Sequence, residues 1–137
     1  MQVQPYLIFD GRCEEALDFY SKAIGAEVLF MKRFSEAPPS DSGPNPGPEV
    51  ADKVMHATLR IGDNTIMASD GHCMGAAKFE GFSLSLGTKN GDEATRVFHA
   101  LADGGEVVMP LSETFFASHF GMLKDRFGVQ WMIIAGQ

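Results

Sequence analysis

The sequence predicts an α+β fold made of two tandem βαβββ modules, which form a curved mixed sheet around a cavity. Two observations predict this fold. The order of strand and helix patterns occurs twice, and the segment that begins at Gly25, GAEVLFM, recurs as GGEVVM beginning at Gly104. One such unit would leave a sheet face uncovered, whereas two units can curve together around a shared cavity with their helices outside.

The elements of the first module, residues 1–70, follow from the spacing of its apolar side chains. Residues 13–24 carry an apolar stripe at helical spacing, and Gly25 ends this predicted helix. Gly62-Asp63-Asn64 is a turn sequence typical of a hairpin. The predicted strands are 6–9, 28–34, 54–61 and 65–69.

The second module, residues 81–137, repeats the same order after a glycine-containing linker, residues 71–80. A helical stripe over residues 92–102 ends at Gly104-Gly105. The predicted strands are 82–86, 106–111, 119–124 and 129–134. The length of 137 residues suits a single domain made of both modules.

One long segment breaks the repeat. Residues 35–52 contain five of the seven prolines in the chain. Proline removes a backbone donor and is excluded from helix interiors and central strands, so we expect an irregular loop here. The segment has little apolar surface to bury, and we expect it to act as a mobile flap.

The composition limits the classes of partner. The net charge is −7, which disfavours nucleic acid and an anionic membrane, because both require a basic surface. No apolar run approaches the roughly 20 residues of a membrane span, and the N-terminal residues do not resemble a signal peptide. We therefore expect a cytoplasmic protein in which Cys13 and Cys73 are reduced.

Four segments resemble the PhnB-like group of the vicinal oxygen chelate (glyoxalase/bleomycin resistance/extradiol dioxygenase) superfamily. They are residues 6–20, 25–28, 52–62 and 120–132, which are spread over the whole chain. The resemblance implies a glyoxalase-like fold and a homodimer in which both chains complete the cavities. Some members of the group carry a ubiquinone methyltransferase label, but the sequence has no glycine-rich strand–turn–helix for S-adenosylmethionine.

The resemblance also implies where a metal would bind. In metal-using members each module supplies one ligand from its first strand and one from its last strand, usually histidine or glutamate. These positions fall at Pro5 or Tyr6, at Met67, around Leu84 and at Met132. A thioether is a poor ligand for the hard ions of these enzymes. We therefore expect no family-type metal site and no cofactor.

The predicted ligand pocket combines apolar and polar side chains. His56, Thr58 and Arg60 alternate with apolar residues and therefore share one strand face, which we expect to be concave. Met67 and Met132 would make the pocket soft and adaptable. A hydrogen-bonded sheet histidine without chemistry is an equal alternative for His56. The residues predicted to line the pocket are Tyr6, His56, Thr58, Met67, Phe116, His119, Gln130 and Met132.

The sequence favours structural roles for several other residues that could carry chemistry. Cys13 lies near a helix start, where packing is a better explanation than reactivity because Glu14 and Glu15 oppose the helix dipole. His72 and Cys73 lie in the linker without a third group that would complete a site. Trp131 alternates with Met132 and is expected in the core. For His119, a solvated position at a strand edge is an alternative to a place in the pocket.

Three functions remain open from the sequence. The leading hypothesis is a PhnB-like protein that binds a small organic molecule in an apolar cavity without a metal. The alternatives are a metal-dependent lyase, isomerase or dioxygenase of the same superfamily, and a sequestering protein like those of bleomycin resistance. The sequence alone does not decide between binding and catalysis.

Overall fold

The computed structural model describes residues 1–36, 50–71 and 75–137. The chain divides into two compact units, Met1–Ala77 and Lys78–Gln137. Each unit contains one βαβββ module, so the predicted α+β fold with tandem modules is confirmed. Most of the proline-rich loop predicted at 35–52 lies outside the described residues, as do His72 and Cys73.

The first unit is a four-stranded mixed sheet with one helix. The strands have the order β1-β4-β3-β2, with β1 parallel to β4 and the other neighbours antiparallel. A 3₁₀ turn, Phe34–Glu36, follows β2. The elements are β1 (Tyr6–Ile8), α1 (Cys13–Ile24), β2 (Glu27–Arg33), β3 (Val54–Ile61) and β4 (Asn64–Ser69).

Helix α1 packs against β2 and β3 through its apolar stripe. Ala16, Leu17 and Tyr20 are buried on this stripe. Gly25 ends the helix in the left-handed conformation with φ of 67°, which costs glycine less than other residues. The sheet residues on the covered side include Leu7, Ala57 and Leu59, which are buried, as is Phe9 directly after β1.

The buried carboxylate of Asp70 holds three parts of the first unit together. Its Oδ1 accepts hydrogen bonds from the backbone N–H groups of Gly11 and Cys13, at 2.7 and 2.8 Å. Its Oδ2 accepts from the N–H of Val54 at 2.8 Å. Arg12 at the start of α1 makes no side-chain cap, and Asp70 instead accepts from the N–H of Cys13, the first residue of the helix.

The second unit repeats this architecture. Its strands have the order β5-β8-β7-β6, with β5 parallel to β8 and the other neighbours antiparallel. The elements are β5 (Leu84–Gly87), α2 (Gly91–Ala102), β6 (Glu106–Ser112), β7 (His119–Lys124) and β8 (Gln130–Ala135).

Helix α2 covers one face of the second sheet. The side chain of Asn90 caps the helix by accepting from the N–H of Glu93 at 2.9 Å. Trp131 is buried, as predicted, and its indole N–H donates to the buried carboxylate of Asp125 at 2.9 Å. The buried helix residues are Ala94, Val97, Phe98 and Leu101.

Neither α1 nor α2 has the length and apolar character needed to cross a bilayer, and the rest of the described chain contains no helix that does.

Candidate functional site

The family positions for metal ligands lie side by side on neighbouring strands within each unit. Tyr6 of β1 is the Cα partner of Met67 of β4, and Ser85 of β5 is the partner of Met132 of β8. Residues that are partners on adjacent strands point to the same face of a sheet. The register thus selects Tyr6 rather than Pro5 and Ser85 rather than Leu84 as the equivalent positions.

Five residues of the first unit form a continuous surface on the sheet face opposite α1, called here the His56 face. A single cross-strand row joins four of them through the pairs Phe30–Thr58, Thr58–Met67 and Met67–Tyr6. His56 lies two residues before Thr58 and therefore shares its face. Tyr6 and Phe30 are 44% and 50% exposed, so this surface is open to a ligand.

Hydrogen bonds fix the orientation of the His56 ring. The Tyr6 hydroxyl lies 2.9 Å from Nδ1 of His56. When Tyr6 donates to Nδ1, the neutral ring carries its own proton on Nε2. The Thr58 hydroxyl lies 3.5 Å from Nε2, at the outer limit of a hydrogen bond, so the Nε2 proton is only weakly engaged.

Aromatic rings flank the imidazole on two sides. The ring centroids of Tyr6 and Phe30 lie 5.5 and 6.0 Å from that of His56. Partial burial raises the pKa of Tyr6, while an interaction with the Ser69 hydroxyl acts in the opposite direction. Tyr6 is therefore a neutral hydrogen-bonding group at physiological pH.

Two cationic side chains, Arg60 and Lys32, lie beside the His56 face, and they differ in whether a carboxylate pairs with them. Arg60 forms an ion pair with Glu27, its Cα partner on β2. Lys32 is the Cα partner of His56, which places its ammonium group on the same side of the sheet. Among the described residues, no carboxylate forms an ion pair with Lys32.

The second unit has a surface rich in methionine on the sheet face opposite α2, called here the methionine face. Its central row crosses all four strands through the pairs Met109–Met122, Met122–Met132 and Met132–Ser85. Met122 and Met132 pack against a buried cluster that contains Phe120. The face is therefore apolar and adaptable, because the unbranched thioether side chain changes conformation readily.

Phe116 and Gln130 border the methionine face. The ring of Phe116 contacts the ring of Phe120 edge-on, with centroids 5.1 Å apart. Gln130 lies two residues before Met132 on the same face, and its amide donates to the carbonyl of Phe79 at 2.9 Å. Gln130 thus has a structural hydrogen bond at the edge of the surface.

His119 lies apart from the other predicted pocket residues of the second unit. Alternation along β7 puts it on the α2 side of the sheet, opposite Phe120 and Met122. Its Nδ1 lies 2.9 Å from the Ser118 hydroxyl, and its ring packs against Gly91 at the start of α2. A separate groove of about 460 Å³ on this side is lined by Thr95, Phe98, His99, Val107, Pro110, Leu111 and His119.

The structure thus groups Tyr6, His56, Thr58 and Met67 in the first unit, and Phe116, Gln130 and Met132 in the second. Four further residues belong to these surfaces and were not predicted from the sequence: Phe30, Lys32, Met109 and Met122. The repeat itself contained a signal for two of them, because Phe30 and Met109 occupy the same place in the recurring segments GAEVLFM and GGEVVM.

The residues at the four family positions do not fit a hard divalent ion. They are Tyr6, Met67, Ser85 and Met132, which offer a neutral phenol, two thioethers and an aliphatic hydroxyl. Such ions prefer carboxylate, imidazole and carbonyl ligands. Within residues 1–36, 50–71 and 75–137, no three His, Cys, Asp or Glu side chains cluster in a way that would hold a metal.

Cys13 is a buried free thiol below the sheet. Burial raises its pKa well above the ordinary thiol range, and the negative charges of Asp70 and Glu14 add to this shift. The thiol is therefore protonated at neutral pH and has no nucleophilic character, which agrees with the packing role expected from the sequence.

The tandem βαβββ modules define a glyoxalase-like α+β fold. At the level of fold alone, the glyoxalase-related enzyme from Fulvimarina pelagi is similar, with a TM-score of 0.64 and 16% identity over 99% of this chain and 88% of that one. The chain belongs to the PhnB-like family, whose model, described as 3-demethylubiquinone-9 3-methyltransferase, matches residues 1–134.

Several relatives are similar to this chain over nearly its whole length. Protein YjdN from Escherichia coli K12 is 41% identical, covering 97% of this chain and 94% of YjdN. The solved structure of protein PA1353 from Pseudomonas aeruginosa has a TM-score of 0.85 and 43% identity, covering 100% of this chain and 98% of that one. The PhnB protein from Bacillus cereus has a TM-score of 0.81 and 28% identity, covering 99% and 100%.

Proposed function

We propose that this protein binds a small organic molecule on the apolar sheet faces of its modules, without a metal ion. The observation that carries the proposal is the pair of cross-strand rows in which Tyr6, Met67, Ser85 and Met132 occupy the family's ligand positions. The superfamily uses this place to hold a substrate beside a metal. Here the same place presents thioethers and an aromatic ring, which favour contact with an organic ligand.

The exposure of large apolar side chains supports a ligand at these faces. Five such side chains are each more than 40% exposed: Tyr6, Ile8 and Phe30 in the first unit, and Met109 and Phe116 in the second. Apolar surface left open to water carries a free-energy cost, and contiguous patches of this kind usually mark a binding site. A ligand that covers such a face gains affinity from the burial.

Methyl transfer, which the family description names, has less support than binding. A methyltransferase needs a site for its methyl donor, and S-adenosylmethionine commonly lies on a glycine-rich turn between a strand and a helix. The sequence has no such turn. Binding without methyl transfer is therefore the function that we propose.

We also propose that the protein is a cytoplasmic homodimer. The edge strands β2 and β6 both expose apolar side chains on neighbouring residues, and Phe115 is fully exposed. Unpaired edges of this composition invite association with another strand or chain. A dimer burying on the order of 2,000 Å² would cover them. The reduced Cys13 fits a cytoplasmic location.

Methionine methyl NMR offers a direct test of ligand binding, because six of the eight methionines lie in strands and are distributed over both sides of the sheets. The protein is labelled with ¹³C-methyl methionine and titrated with a library of small organic compounds. We expect hits to shift the methyl signals of Met67 and Met132. Met55 is the internal control, because alternation along β3 places it on the opposite face from His56.

Two results would contradict the proposal. The first is a library in which no compound shifts Met67 or Met132. The second is an equal response of Met55, which would indicate nonspecific partitioning. Replacing Met67 by aspartate in the folded protein places a negative charge in the cross-strand row of the His56 face and should weaken every hit that shifts Met67 about tenfold or more.

The dimer is tested by sedimentation at micromolar concentration. We expect a species of twice the 14.9 kDa chain mass. The double variant Leu29→Lys, Val108→Lys adds charges to both edges and should give a monomer, whereas Phe82→Lys, an exposed apolar residue outside β2 and β6, should not. A wild-type monomer would refute the dimer.

A further inference from the structure

The His56 face presents several hydrogen-bond donors to the same region. The Nε2 proton of His56 is only weakly engaged, because the Thr58 hydroxyl lies 3.5 Å away. The Thr58 hydroxyl can rotate to donate, and the ammonium group of Lys32 carries three donors. These groups come from β2 and β3 at neighbouring positions, since Lys32 and His56 are Cα partners.

The carboxylates of Glu27, Glu14 and Asp70 already have ion-pair or hydrogen-bond partners. Glu27 is paired with Arg60, and Glu14 accepts two hydrogen bonds from Arg33. The carboxylate of Asp70 is buried below the sheet and accepts three backbone N–H bonds. Among the described residues, Lys32 is therefore a cation without an ion-pair partner beside an imidazole donor.

The apolar part of the same face lies next to these donors. The cross-strand row of the His56 face continues this surface away from Lys32 through Phe30, Met67 and the ring of Tyr6. The Tyr6 hydroxyl contacts Nδ1 of His56, which holds the imidazole in place. The Nε2 proton is then available to donate to a ligand. The face thus combines an oxyanion-binding end with an aromatic and thioether end.

We infer that the His56 face binds a small organic acid. Its anionic oxygen group accepts from Nε2 of His56, the Thr58 hydroxyl and the ammonium of Lys32, and its apolar body covers Phe30 and Met67. This inference rests on the proposed function and adds the chemical class of the ligand. Hydrogen bonds between a charged partner and an ionised acceptor are the strongest that such a site can provide.

The test compares carboxylic acids with their own primary amides, which have nearly the same shape but no charge. A panel of small aliphatic and aromatic acids, each with its amide, is titrated into full-length protein near neutral pH. The signals followed are the His56 imidazole and the Met67 methyl group. We expect acids to bind about tenfold or more tightly than the matched amides, because a charged acceptor roughly doubles the strength of each hydrogen bond.

Variants assign the preference to named groups. Lys32→Met and His56→Gln should each reduce acid affinity about tenfold while leaving amide affinity within about twofold. Lys22→Met is the matched control, because it removes the same charge from an exposed position on α1 and should leave both affinities unchanged. Thermal unfolding verifies that each variant is folded.

Three outcomes would overturn the inference. Equal affinities for acids and amides at the His56 face would do so and would leave the proposed function intact. An acid preference that survives Lys32→Met and His56→Gln together would place the anion elsewhere. A panel in which no acid shifts the His56 signal would also overturn it, and if neutral compounds still shift Met67, the proposed function stands alone.

Discussion

The hydroxyl of Tyr6 reaches Nδ1 of His56 at 2.9 Å, although the two residues lie on strands that are not neighbours. Strand β4 runs between β1 and β3, so the Tyr6 side chain passes over the strand that carries Met67. The contact gives the imidazole a preferred tautomer and links the apolar row to a polar group. It is the feature that distinguishes this face from a simple apolar patch.

Replacing Tyr6 by phenylalanine should release the His56 ring. The ring then loses the partner that favours a proton on Nε2, so we expect both neutral tautomers to become populated. Imidazole ¹⁵N chemical shifts measure this change, and His99 on the exposed surface of α2 serves as an unaffected reference. Stability should fall by only about 1 kcal/mol, the usual value of one hydrogen bond. An unchanged His56 spectrum would show that Tyr6 does not orient the ring.

Gly91 and His119 should be energetically coupled. A Cβ atom on Gly91 would overlap the His119 ring, so Gly91→Ala should destabilise the protein by about 1–3 kcal/mol. In a His119→Ala background the same change should be neutral or stabilising, because alanine favours a helix. Urea unfolding of the four proteins measures the coupling. Gly87→Ala, where a Cβ meets no atom within 4 Å, is the control. Additive effects would refute the contact.

Asp70 should be important for stability. Asp70→Asn keeps the size but replaces one acceptor oxygen by an amide that faces backbone N–H groups. Since three backbone N–H groups donate to Asp70, we expect a loss of about 3 kcal/mol. Asp63→Asn, in the exposed turn between β3 and β4, should change stability by less than about 0.5 kcal/mol. Equal unfolding midpoints for the two variants would contradict this role.

Cys13 should make stability fall at alkaline pH. The pKa of this thiol is raised in the folded protein, so the folded state keeps the proton while the unfolded thiol ionises above roughly pH 8.5. The contribution is fully present below that pH and is lost as the pH rises, by up to about 1.4 kcal/mol per pH unit. Cys13→Ala should show a shallower decline between pH 8.5 and 10. Parallel profiles for the two proteins would exclude the effect.

The sequence was sufficient to predict the modules because their signals are local. The helical stripe over residues 13–24 coincides with α1, and the recurring segment after Gly25 and Gly104 placed β2 and β6 correctly. Counting from those motifs also located Met67 and Met132, which lie at equivalent positions in the two sheets.

The contacts that distinguish the site depend on tertiary structure. Asp70 caps a helix that begins far earlier in the chain, and no local pattern relates it to Cys13. The position of His119 depends on which face of β7 the helix covers. Apolar residues occupy both faces of that strand, with Phe120 on one and Leu123 on the other, so alternation did not determine its orientation.

Native mass spectrometry of gently purified protein weighs the chain together with whatever it retains, so one experiment detects a bound organic molecule and a bound metal. We expect a dimer that carries an organic molecule of small mass and no stoichiometric metal. Met67→Asp should lose this molecule and Phe82→Asp should retain it. One divalent metal ion per chain, retained without any organic molecule, would contradict the account.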